Sequence, residues 1–214
     1  IDPDVTGTGG GWLVVWARST TATAGAPIAG RIVTGPDTFS GLSALATDDP
    51  TVVEGRPAAA FNSATGNCLV TWDTGVAAGP TKEVRATLAT LTPALTFGAT
   101  TPVSVPDAIE GRFSDVAADT TTGQWLTVWE EVITPGTLVM PLQGDILAQL
   151  YSAPGGVLTP VGPITPIAAT PTVDGFPRVA YNAPALSYML AFHRVTWSPP
   201  PSPVIIDSDM MGMR

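Results

Sequence analysis

A strand-like segment that ends on an aromatic recurs four times along the 214 residues: Trp12-Leu13-Val14-Val15-Trp16, Cys68-Leu69-Val70-Thr71-Trp72, Trp125-Leu126-Thr127-Val128-Trp129 and Tyr188-Met189-Leu190-Ala191-Phe192. The closing aromatics stand 56, 57 and 63 residues apart. A period of this length confines the chain to architectures in which one supersecondary unit is repeated around an axis or along a stack.

Each copy has the same neighbours. A strand rich in small residues precedes it: Arg56-Pro57-Ala58-Ala59-Ala60-Phe61, Ser114-Asp115-Val116-Ala117-Ala118, Pro177-Arg178-Val179-Ala180-Tyr181, and a short first copy, Pro3-Asp4-Val5. Gly66 and Gly123 mark tight turns between the two strands. A third strand follows (Ile28-Ala29-Gly30-Arg31-Ile32, Val84-Arg85-Ala86-Thr87-Leu88, Ile146-Leu147-Ala148-Gln149-Leu150, Met210-Met211-Gly212-Met213-Arg214), and then a less regular fourth segment. Units of four short antiparallel strands predict an all-β, β-propeller-like fold, a single domain with repeats near 1–53, 54–109, 110–173 and 174–214, the last incomplete. Sheets sandwiched between neighbours explain why 12–16 and 125–129 are apolar on both parities, and small inner strands suit the crowded axis. A β-sandwich is the main rival and leaves the constant phase of the aromatic unexplained.

These residues resemble the propeller-type repeats of secreted and cell-surface bacterial proteins, in which Val-Ala-Tyr-Asn and a short turn lead into Tyr-Leu-Val-Val-Trp. Residues 177–182 and 12–16 are the clearest copies. The resemblance implies a fold and an extracellular, cell-surface or periplasmic location, and it assigns no active-site residue. The WD40 Gly-His and Trp-Asp pairs, the kelch Gly-Gly and the sialidase Asp-box pattern are absent from the sequence.

Charge narrows the functional classes. Eighteen acids face nine basic residues, of which Lys82 is the one lysine, for a net charge of −9. No basic stripe exists to displace counterions from a phosphate backbone, so nucleic acid is not an expected partner. No apolar run approaches the roughly 18 residues of a membrane-spanning helix, and no membrane insertion is expected. Cys68 is the only cysteine, read as a buried thiol, and His193 is the only histidine. Neither belongs to a metal-ligand cluster, and no cofactor motif appears, so no metal and no cofactor are expected. Met210, Met211 and Met213 read as core side chains rather than as thioether ligands.

Candidate chemistry is sparse. Glu54-Gly55-Arg56, Glu110-Gly111-Arg112 and Asp174-Gly175 with Arg178 enter successive inner strands at what reads as one phase. This predicts a ring of charge at one channel mouth, where arginines either grip an anionic group or pair with neighbouring acids to hold register. The insertions at 134–144 and 196–208 break the symmetry, and Trp197 before Pro199-Pro200-Pro201 offers a semi-rigid apolar contact for a protein or glycan.

Arg214 falls at the phase filled by Ile32, Leu88 and Leu150, so the fourth unit stops in mid-strand. A processed fragment, an incomplete sequence and a ring with a three-stranded last blade all fit, and in the first a partner chain completes the blade. The expected function is a non-catalytic binding or assembly module. The alternative is a carbohydrate-active enzyme, a glycan hydrolase or lyase, with its site at the channel mouth.

Overall fold

The computed structural model describes residues 3–17, 28–45, 52–76, 82–104, 110–134, 143–169, 173–197 and 205–213. They form four antiparallel sheet units, the last two of which are joined into one seven-stranded sheet. The first holds β1 (Asp4–Thr8), β2 (Gly11–Ala17), β3 (Ile28–Gly35) and the two short strands β4 (Thr38–Phe39) and β5 (Ser43–Ala44), which both pair with β3. The second holds β6 (Val52–Asn62), β7 (Asn67–Val76) and β8 (Lys82–Thr90), edged by β9 (Thr96–Phe97) and β10 (Thr101–Pro102). The third holds β11 (Gly111–Asp119), β12 (Gln124–Thr134), β13 (Gln143–Ser152) and β14 (Thr159–Ala168). The fourth holds β15 (Val173–Asn182), β16 (Ser187–Trp197) and β17 (Ile205–Met213), and joins the third through one parallel pair, Gly144 with Val173.

The inner strands follow one another around an axis, β1 against β6, β6 against β11 and β11 against β15. Sheets pack face to face. Leu13, Val15 and Ile28 of the first meet Cys68, Val70 and Trp72 of the second. Leu69, Val84 and Leu88 of the second meet Val116, Trp125 and Trp129 of the third. Val128, Ile146 and Ala148 of the third meet Leu190 and Phe192 of the fourth. Trp72, Trp129 and Phe192 are therefore the repeat aromatics because each fills the gap to the preceding sheet. Hydrogen bonds across the junctions reinforce this: the Asn62 amide donates to Asp119 O at 3.0 Å and Gln124 O at 2.9 Å, and Trp125 Nε1 donates to Ala60 O at 3.1 Å.

One packing expectation changes. β7 and β12 are buried on both faces, but in β2 Leu13 and Val15 are buried while Trp12 is 52% exposed, and in β16 Leu190 is buried while Met189 is 50% exposed. Only the sheets with a described neighbour on each side lose the alternation. Met210, expected in the core, is exposed for the same reason. Cys68 is buried as expected, and loss of hydration pushes its thiol up to about 12.

Candidate functional site at the axis

Three inner strands carry the same irregularity. Between Gly55 and Ala58, Arg112 and Asp115, and Gly175 and Arg178, two residues oppose a single one on the partner strand. The residues opposed are Trp72, Trp129 and Phe192. Each is a β-bulge, a device that re-aims side chains, and each puts a non-glycine residue at positive φ: Arg56 at 48°, Phe113 at 54° and Phe176 at 54°. Left-handed backbone at three equivalent bulky positions is strain that regular pairing would not impose.

The bulges build two layers around one cavity of about 540 Å³, lined from all four sheets. The outer layer is a cluster about Phe113: the Arg56 and Arg112 guanidinium groups lie 4.1 and 4.9 Å from its ring centroid, and the Phe176 ring, tilted by 40°, has its centroid 4.2 Å away. The inner layer consists of Asp4, Ala58, Asp115 and Arg178, which pair with the equivalent residues Val15, Thr71, Val128 and Ala191. Asp4 Oδ2 accepts the Ala59 N–H at 2.7 Å, and Asp115 Oδ2 accepts the Val179 N–H at 2.8 Å. Both carboxylates are thus oriented from the next sheet. Burial raises the Asp115 carboxyl above the ordinary aspartate range, against the Val179 N–H and the charge of Arg178. The nearby Asp4 charge acts in the raising direction as well.

The charged residues singled out by their spacing do not share one phase. Arg56 and Arg178 line the cavity, but in different layers. Arg112 precedes its bulge, at the position of Gly55 and Gly175, and turns to the buried Glu130, with Nη2 to Oε1 at 2.6 Å and Nε to Oε1 at 3.0 Å. Glu110 lies 3.5 Å from Arg112 and one residue out of step with Glu54 and Asp174. Glu54 is buried and accepts the Ile28 N–H at 3.0 Å, tying the second sheet to the first. Asp174 is buried in a two-pronged bond from Arg194, 2.6 and 3.0 Å. Trp197 ends β16, its backbone paired with Ile205, while the proline run after it lies outside the described residues. The sequence pattern does not single out Asp4 or Asp115, which the cavity brings together. The available signal was a carboxylate at the centre of inner strands that otherwise carry alanine.

No protein-family profile matches the sequence, and no curated protein matches it. Solved structures do. An endo-arabinase from Bacteroides thetaiotaomicron VPI-5482 superposes with a TM-score of 0.54 at 13% identity, covering 95% of this chain and 72% of the other. A family-43 endo-arabinanase from Bacillus licheniformis gives 0.52 at 12%, covering 90% and 64%, and a thermostable family-43 glycoside hydrolase gives 0.54 at 12%, covering 97% and 70%. The fold is a β-propeller. Family-43 glycoside hydrolases have five blades, and the present chain spans between 64% and 72% of the length of these three. The finding overturns the expectation of a non-catalytic binding or assembly module: the propellers it resembles are glycan-cleaving enzymes, which favours the carbohydrate-active alternative.

Proposed function

We propose that this protein is a carbohydrate-active enzyme that hydrolyses a glycan at the mouth of the axial cavity, with Asp115 as general acid and Asp4 as general base. The observation that carries the reading is the placement of two backbone-oriented carboxylates at equivalent positions of one cavity beneath an aromatic cluster. Glycosidic cleavage needs one carboxyl that keeps its proton and one that does not. Asp115, raised by burial, gives its proton to the glycosidic oxygen as the bond to the anomeric carbon breaks. Water adds to that carbon, and its proton passes to Asp4. Phe176, exposed beside Phe113, supplies the flat apolar face on which a sugar ring rests.

The likeness to arabinan-cleaving propellers makes arabinan the first substrate to try. A polymer too large to cross a membrane calls for an enzyme outside the cytoplasm, which fits an extracellular or surface location. The test is reducing-end release from arabinan, arabinogalactan, xylan and pectin by the purified chain and by Asp115→Asn and Asp4→Asn. Release that vanishes in both variants while their melting temperatures hold supports the reading, and equal release by a variant and the parent sinks it.

A further inference from the structure

The charges at the axis are not those of the rest of the molecule. The chain carries a net charge of −9, yet the cavity lining holds Arg56 and Arg178 against Asp4 and Asp115. In the acid form of Asp115 used by the proposed reaction, the lining sums to a positive charge. The two guanidinium groups are also less committed than the protein's other inner-strand arginine. Arg112 is locked to the buried Glu130. Arg56 is exposed and stands 3.7 Å from Asp73, whose carboxylate accepts the N–H groups of Phe113 and Ser114. Arg178 is exposed, forms no ion pair within 4 Å among the described residues although its charge acts on Asp115, and donates to the Pro177 carbonyl at 3.4 Å. Arg56 is held upright by its stack on Phe113, at a strained backbone position.

From this juxtaposition we infer that the axial site is selective for an acidic sugar: Arg56 and Arg178 hold the carboxylate of a uronic-acid residue while the exposed Phe176 bears its ring. A guanidinium presents a planar fork that matches a carboxylate with two parallel hydrogen bonds. A neutral pentose leaves both forks to water. The inference rests on the axial-site reading above and adds the class of glycan.

The test compares hexagalacturonate with arabinohexaose by calorimetric titration into the purified chain. At about 50 mM salt the acidic hexasaccharide binds about tenfold more tightly, as expected for one charge-assisted two-pronged contact, and the margin shrinks at about 500 mM salt. Arg178→Gln and Arg56→Gln each reduce the margin about threefold or more. Arg85→Gln removes the same charge from β8, where Arg85 pairs with Glu83 at 2.9 Å, and leaves the margin unchanged. Equal affinity for the two oligosaccharides, a margin that survives both cavity substitutions together, or tighter binding of a sulfated hexasaccharide than of hexagalacturonate overturns the inference. Binding of arabinohexaose alone overturns it while the axial site stands, whereas binding of neither glycan overturns both.

Discussion

The Asp115 carboxylate accepts the Val179 N–H at 2.8 Å across the junction of the third and fourth sheets, and Asp4 repeats the contact on Ala59 at 2.7 Å across the first and second. One side chain thus ties blade to blade while lining the cavity. The two roles separate by substitution. Asp115→Ala removes the acceptor and costs about 1–2 kcal/mol by leaving an amide without its partner. Asp115→Asn keeps an oxygen in place and costs about 0.5 kcal/mol or less. Urea denaturation of the two variants checks this, and equal losses would show that Asp115 does not clamp Val179.

Gly175 and Gly55 occupy the same position before their bulges but face different surroundings. A Cβ on Gly175 would lie 2.5 Å from Glu130 Oε2, in a buried carboxylate that Arg112 already holds, whereas a Cβ on Gly55 meets nothing within 4 Å. Gly175→Ala is expected to destabilise the protein by about 1–3 kcal/mol through overpacking, and Gly55→Ala to change stability by about 0.5 kcal/mol or less. Denaturant midpoints of the pair measure the difference, and matched midpoints would contradict the packing of Glu130 on Gly175.

Phe176 pairs strain with exposure. Its φ of 54° disfavours any side chain with a Cβ, and its ring is exposed apart from the contact with Phe113. Phe176→Gly relieves the strain while removing the ring, so stability shifts by about 1 kcal/mol or less in either direction. Glycan affinity falls about fivefold or more, because a stacked sugar loses its platform. Titration with the best substrate fragment checks the second part, and unchanged affinity would remove Phe176 from the site.

Stability should increase on mild acidification. Loss of hydration raises the carboxyls of Glu54, Asp115, Glu130 and Asp145, with Arg112 opposing the effect at Glu130 and Asp174 adding to it at Asp145. A group raised in the fold binds its proton more tightly folded than unfolded. Its contribution is complete below the unfolded value and is lost as pH rises through the folded one. The melting temperature therefore climbs as pH falls from about 7.5 to about 5, and Glu130→Gln flattens the climb. Asp119 works in the opposite sense: burial raises it, but hydrogen bonds from Thr121 and Thr122 outweigh this and lower it. Its contribution is lost only below about pH 4. A melting temperature that falls between pH 7.5 and 5 would contradict these shifts.

The propeller could be read because its determinant is local and repeated. Trp72, Trp129 and Phe192 sit at one phase since each fills the same intersheet gap. The site was less legible because a bulge breaks the period of two on which phase arguments rest. Spacing from the Gly-Arg pairs placed Arg56, Arg112 and Arg178 together, whereas the bulges make Arg56 equivalent to Phe113 and Phe176, and Arg178 equivalent to Asp115. Glu110 is out of step because the Glu-Gly-Arg run leading into β11 starts one residue earlier relative to a bulge that has the same size in all three strands. Nothing in the spacing reveals that Asp4 and Asp115 face one cavity, because they belong to the first and third sheets, which the second separates in the chain.

The central claim is that Asp115 delivers a proton to a glycosidic oxygen, and the most direct measurement is single-variant kinetics on arabinan and polygalacturonan with Asp115→Asn. The account predicts turnover reduced about 100-fold or more for the cleaved polymer, with stability kept within about 0.5 kcal/mol of the parent. Turnover within about twofold of the parent on a polymer the protein demonstrably cleaves would contradict it, since no general acid in the reacting position can be lost at so little cost.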